Sequence, residues 1–313
     1  MKSLSHFEKV LNSSGLILTE GSMFEKLRRS PNVKLDPRLA HAALIYNSGA
    51  KAVLEEAYRS YIDVGKKFDI PIIIFSATWR ANAERIKTSS FKNKDLNGDN
   101  VKFLRELKKS YGSYGDKILI GGLMGCYGDA YIPSEALDVK RAEKFHEPQV
   151  KALAASGADF LFGSTLPSAE EAMGMARAMG NTNKPYILSF VTRPNGVILD
   201  NVPLSQCINR IDALVKNLPL GYFVNCVHPS KFISAFSGQR DVLWMKRILG
   251  FQGNTSDKEP EELVKLKELE TTTPQVLAKD MMKLQSLFGL KVLGGCCGTD
   301  SKHIQCLAES FCT

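Results

Sequence analysis

The stretch "GYFVNCVHPSKFISAF", residues 221–236, holds two patterns back to back. "GYFVNC" is a short aliphatic and aromatic run suited to a buried strand, and "PSKFISAF" carries apolar residues at helical spacing. A strand that turns directly into a helix is half of a βαβ unit, the building block of parallel sheets.

The same alternation extends in both directions. Upstream lie "GLILTE" (15–20), "PIIIFSAT" (71–78), "KILIGGLM" (117–124), "DFLFGS" (159–164) and "PYILSFV" (185–191); downstream lie "RILGFQG" (247–253) and "KVLGGC" (291–296). Helical patterns separate them: "KAVLEEAYRSYIDVGKKF", "DNVKFLRELKKSYG", "PQVKALAASG", "SAEEAMGMARAMG", "PLSQCINRIDALVKNL" and "TPQVLAKDMMKLQSLFG". In the last segment, "DSKHIQCLAESF", Ile304, Leu307, Ala308 and Phe311 form one core-facing stripe. Eight strands with intervening helices in 313 residues, without a break in composition, predict a single α/β domain over 1–313, a (β/α)8 TIM barrel. An open doubly wound sheet is the alternative, and the lack of a G-x-G-x-x-G turn after the first strand counts against its dinucleotide-binding form. Two connections are long, 21–70 and 254–272; the first holds helical pattern beyond the barrel's need, and the charged second reads as an outer loop, arm or contact surface.

Composition narrows the function. Hydrophobic residues make up 44% of the chain, enough for a large core, and no apolar run is long enough to span a bilayer. The opening "MKSLSHFEKVLNSSG" reads as an amphipathic helix, so a cytoplasmic protein is expected. The net charge is +8, but basic and acidic residues are interspersed, as in "VKFLRELKKS", which favours a solvated surface over a nucleic-acid site. The seven cysteines are odd in number and widely spread, a pattern of reduced thiols or metal ligands.

Three of those cysteines fall at strand ends on the C-terminal face of the predicted barrel, where such folds place their active sites: Cys226 after strand six, Cys296 and Cys297 after strand eight. Strands of equal parity feed one interior layer, which brings thiols 70 residues apart together. Neighbouring side chains on a regular strand point to opposite faces, but Gly294, Gly295 and Gly298 allow a tight turn and close approach. Three thiolates suit Zn²⁺ with a fourth position open for a substrate, and the electron-rich set favours binding and alkylating a thiol over generating hydroxide. Three separate core cysteines, or a strained Cys296–Cys297 bridge, are the simpler alternatives. His228 is a conceivable ligand that reads better as shaping the turn before Pro229.

With these residues located, the chain resembles the homocysteine S-methyltransferase family. "GGCCGTDSKHI" and "FVNCVHPS" resemble that family's two zinc motifs, and "ILTEGSMFEKL", "FSATWRAN" and "GCYGDAY" resemble further segments. The resemblance implies a TIM barrel and a zinc-dependent transfer of a methyl group to homocysteine that gives methionine. It further implies Cys226, Cys296 and Cys297 as zinc ligands, through which they are catalytic, and Glu20, Gly21 and Ser164 as substrate contacts. The partners it implies are a thiol amino acid acceptor and a small cationic methyl donor or a separate corrinoid protein; self-association is left open. Departures sit on the substrate side. Glu20-Gly21-Ser22 stands where the family has Asp-Gly-Gly, and Ser164 stands where a glutamate holds the amino group, so another acceptor thiol, or a non-catalytic zinc barrel, competes. Cys126, at the end of strand three, reads better as passive than as part of the site; Arg80, Trp79 and Tyr131 belong to segments near the mouth, where packing is the simpler reading and the aromatic rings would suit a cationic donor.

Overall fold

A computed structural model describes residues 4–259, 262 and 271–313. Eight parallel strands close into a barrel in chain order: β1 (Ile17–Thr19), β2 (Ile72–Phe75), β3 (Ile118–Met124), β4 (Phe160–Leu166), β5 (Tyr186–Phe190), β6 (Gly221–Val227), β7 (Ile248–Gly253) and β8 (Val292–Gly295). β8 returns to pair with β1, so no sheet edge is left open. Each predicted strand is present, and the open-sheet alternative is excluded.

The strands are apolar throughout because both faces are buried. One parity fills the interior, where Ile73, Phe75, Phe162 and Phe223 meet. The other, including Ile72, Ile74, Leu161 and Leu188, packs against the surrounding helices. The helices are α1 (His6–Ser13), α2 (Met23–Arg28), α3 (Ser48–Phe68), α4 (Ala83–Lys87), α5 (Leu96–Lys109), α6 (Val139–Ala155), α7 (Ala169–Gly180), α8 (Leu204–Leu214), α9 (Pro229–Phe236), α10 (Pro274–Phe288) and α11 (Ser301–Cys312). No helix among the described residues is long and apolar enough to cross a membrane.

The amphipathic start forms α1, opened by a Ser5–Glu8 capping box. It closes the N-terminal end of the barrel: Phe7 is fully buried and stacks on Phe160 at 4.4 Å. On the last helix, Ile304, Leu307 and Ala308 are buried as the stripe predicts.

Two readings need correction, and two short helices went unread. Helix α6 begins at Val139, well before the expected Pro148, and Pro148 sits inside it. The short helices α2 and α4 carry too few residues to show a period. The second long connection does not lie wholly outside: Asn254, Thr255 and Ser256 are buried beside the β8 turn, while 260–261 and 263–270 fall outside the described residues.

Candidate active site

At the C-terminal mouth the sulfurs of Cys226, Cys296 and Cys297 all lie within 4.8 Å of one another. Those of Cys226 and Cys296 are in direct contact, with Cα atoms 5.5 Å apart. The chain reaches this convergence by local departures from regular strand geometry. The β6–β7 register shifts between Asn225 and Val227, and Cys226 adopts a left-handed backbone with φ 57°. A bulge of this kind turns a side chain that strand alternation would send elsewhere.

The glycines around the cysteine pair have two distinct jobs. Gly294 and Gly295 stay extended in β8, and a β-carbon at either would collide with Thr19 or Thr299. Only Gly298, with φ 83°, uses glycine's freedom to enter left-handed space. The turn is then pinned: Cys296 N–H donates to Gly253 C=O at 2.8 Å, Cys297 N–H to Asn254 Oδ1 at 3.0 Å, and the Thr299 hydroxyl to Cys296 C=O at 2.6 Å.

A chain of donors reaches the Cys226 sulfur. Asn225 Nδ2 donates to Cys226 Sγ at 3.3 Å and to Thr165 Oγ1 at 2.8 Å, while Ser189 Oγ donates to Asn225 Oδ1 at 2.5 Å. The Tyr131 ring packs against the cluster that holds Cys226, Cys296 and Cys297. Burial pushes the Cys297 thiol up to about 11 and holds Tyr131 well above the usual phenol range. A thiol so placed stays protonated near neutrality unless a cation joins it.

This donor set fits a metal. A tetrahedral ion with metal–sulfur bonds near 2.3 Å sets its sulfurs about 3.8 Å apart, so Cys226 and Cys296 would have to part to receive it, while 4.8 Å already bounds all three. A side-chain N–H aimed at a ligand sulfur, as Asn225 aims at Cys226, is the kind of support a thiolate site needs around it. A chain with a Cys226–Cys296 disulfide would have only one of the three thiols left to offer.

The sulfurs open onto a pocket of about 230 Å³ whose lining includes Glu20, Gly21, Ser164, Trp79, Tyr131 and Phe24. The expected substrate residues are therefore gathered beside the cysteines. The Glu20 carboxylate accepts the Phe75 N–H at 3.0 Å, and burial pushes it up to about 8. Ser164 Oγ lies 3.0 Å from Thr165 Oγ1. Phe24 packs against Trp79 and His41, and burial lowers the His41 imidazole to about 4, leaving it neutral.

Other residues near the mouth take the structural roles that were the simpler readings. Arg80 does not line the pocket; it donates to the carbonyls of Cys126 and Gly128 and stacks on Trp79. Cys126 is buried apart from the sulfur cluster, its thiol 3.5 Å from Gly128 C=O. His228 caps α9 through Ser230, as the turn-shaping reading has it. Sequence reasoning missed Glu25, His41, Asn225, Asn254 and Thr299. Asn225, adjoining Cys226 at the end of β6, was the one with a signal in the sequence.

A family model described as homocysteine S-methyltransferase matches residues 17–311. The chain belongs to the homocysteine S-methyltransferase family. Among curated relatives, homocysteine S-methyltransferase 2 of Arabidopsis thaliana is 22% identical, with 94% of this chain and 92% of the relative covered. Selenocysteine Se-methyltransferase of Brassica oleracea var. italica is 27% identical over 70% of this chain and 62% of its own. The metallated form of the Escherichia coli homocysteine methyltransferase MmuM superposes with a TM-score of 0.78 at 21% identity, covering 97% of this chain and 99% of that one. Membership in this family makes the chain a methyltransferase.

Proposed function

We propose that the protein is a cytoplasmic, zinc-dependent S-methyltransferase whose preferred acceptor is the thiol of homocysteine, with methionine as product. The reading is carried by the convergence of Cys226, Cys296 and Cys297 at the mouth of a pocket lined by carboxylates and aromatic rings. Those three cysteines would hold the ion. When bound, zinc supplies a Lewis acid that lowers the acceptor thiol's pKa while three sulfur donors keep it nucleophilic.

The chain's own residues supply the rest. Asn225 donates to the Cys226 sulfur and Tyr131 packs against the cluster, and together they fix its orientation. Among the described residues lining the pocket are Glu25 and Glu20, the latter kept protonated near neutrality by burial, and no lysine or arginine, so no lining cation opposes a cationic reactant. The faces of Trp79, Phe24 and Tyr131 suit a sulfonium or quaternary ammonium methyl donor over a large corrinoid. In the transfer, a bond forms between the acceptor sulfur and the methyl carbon as the methyl–donor bond breaks. The donor leaves as a neutral thioether or amine, and the thiol proton passes to solvent. Holding both reactants in line in one small pocket is the main kinetic contribution of the protein.

Ser164, which carries no charge, favours a second reading in which a different thiol, or a selenol, is the acceptor. Purified protein should be assayed with homocysteine, cysteine and selenocysteine against S-methylmethionine and betaine, alongside zinc analysis of a Cys297→Ala variant. Methionine formation with a bound zinc that the variant loses together with activity is the expected result. Full activity in a metal-free sample would end the proposal.

A further inference from the structure

An amino acid thiol such as homocysteine carries its ammonium four bonds from its sulfur. A counter-charge for that ammonium must therefore lie in the pocket, about a side chain's length from the cysteine cluster. Glu20 and Glu25 are the two carboxylates available there. Glu20 is fully buried at the end of β1, with one oxygen engaged by the Phe75 N–H. Ser164, on β4, contributes a hydroxyl that faces Thr165.

Glu25, in the first turn of α2, is differently placed. Its side chain is 16% exposed, while its partners Arg28 and Arg29 are 52% and 44% exposed, so the guanidinium groups sit on the solvent side. Arg28 Nη2 lies 2.8 Å from Oε1 and 2.9 Å from Oε2, and Arg29 Nε lies 3.2 Å from Oε2. A carboxylate has roughly four lone-pair positions, so these contacts leave one to use. On the inner side Glu25 lines the same pocket as Cys297 and Tyr131. Ion pairs along a helix surface stabilise little and need no burial of the acid, which leaves the inward placement unexplained by them.

We infer that Glu25 is the specificity-determining residue that receives the ammonium group of the acceptor amino acid, with Arg28 and Arg29 holding its carboxylate in place from outside. The inference rests on the thiol-acceptor reading above. It assigns to α2 a recognition role that the sequence signalled only at Glu20, Gly21 and Ser164.

Calorimetric titration of the zinc-loaded protein with homocysteine and with 4-sulfanylbutanoate, the same chain without the amino group, tests it. The wild-type protein should prefer homocysteine. Glu25→Gln should weaken homocysteine binding on the order of tenfold or more, as expected for a charge-assisted hydrogen bond, and leave the des-amino thiol within about twofold. Glu25→Asp, which keeps the charge, should retain part of the preference, and zinc content should not change in either variant. Equal weakening of both thiols by Glu25→Gln, or an undiminished preference for homocysteine, overturns the inference. Methionine formation by the wild-type protein alongside such a result would remove Glu25 alone; its absence with every donor would remove the acceptor reading as well.

Discussion

Glu20 shows how a single buried acid trades stability against chemistry. Its folded pKa of about 8 lies above the unfolded value of 4.5, because burial disfavours the charged form. Below pH 4.5 the carboxyl is protonated in both states and nothing is lost. Between 4.5 and 8 the unfolded chain releases a proton that the folded chain keeps, so stability falls as pH rises. Glu20→Gln should therefore gain on the wild-type protein across this window, by at most about 4 kcal/mol at pH 8, while keeping an oxygen for the Phe75 N–H. Urea unfolding at pH 5 and pH 8 would measure the difference, and an equal offset at both pH values would contradict it. At this scale the three cysteines were legible, since sulfur beside glycine at strand ends is an uncommon pattern. The backbone that aims them was not: Cys226 and Thr165 both take left-handed torsions, at φ 57° and 58°, with neither glycine nor asparagine at the position to announce it.

Elements position the site through contacts that lie outside it. The segment carrying Tyr131 to Cys297 is gripped at both ends by Glu171 of α7: Oε1 accepts the Tyr127 N–H at 2.6 Å and Oε2 the Leu137 N–H at 3.4 Å. His146 of α6 holds the same carboxylate at 2.9 Å, and both side chains are fully buried. Glu171→Ala should strand these partners and cost about 3–5 kcal/mol, the usual effect of breaking a buried pair. Hydrogen exchange should quicken first in residues 127–137, and retention of full protection there would rule this grip out. The sequence reading found the strands because a two-sided burial makes each an unbroken apolar run. It placed the start of α6 too late because charged residues dominate "VKRAEKFHE", and a helix face that polar groups cover leaves a weak period.

Across the whole molecule, closure of the barrel depends on material from both ends of the described chain, with β1 paired to β8 and α1 packed under the barrel. Phe7→Ala would open a cavity beneath Phe160 and should cost about 3–5 kcal/mol, lowering the melting temperature without changing zinc content. A variant that melts with the wild-type protein would show that α1 does not seal the barrel. The count of eight strand–helix repeats was enough to identify the architecture. That α1 would plug it was not legible, because a lone amphipathic helix shows which face is apolar but not what that face meets.

The plug also governs traffic. With Phe7 stopping one end and rings filling the lumen beneath the cysteines, the described residues close the pocket from below, and what enters backs out at the mouth. The spent donor and the methylated product therefore queue at one exit. A lingering product should obstruct the next acceptor competitively.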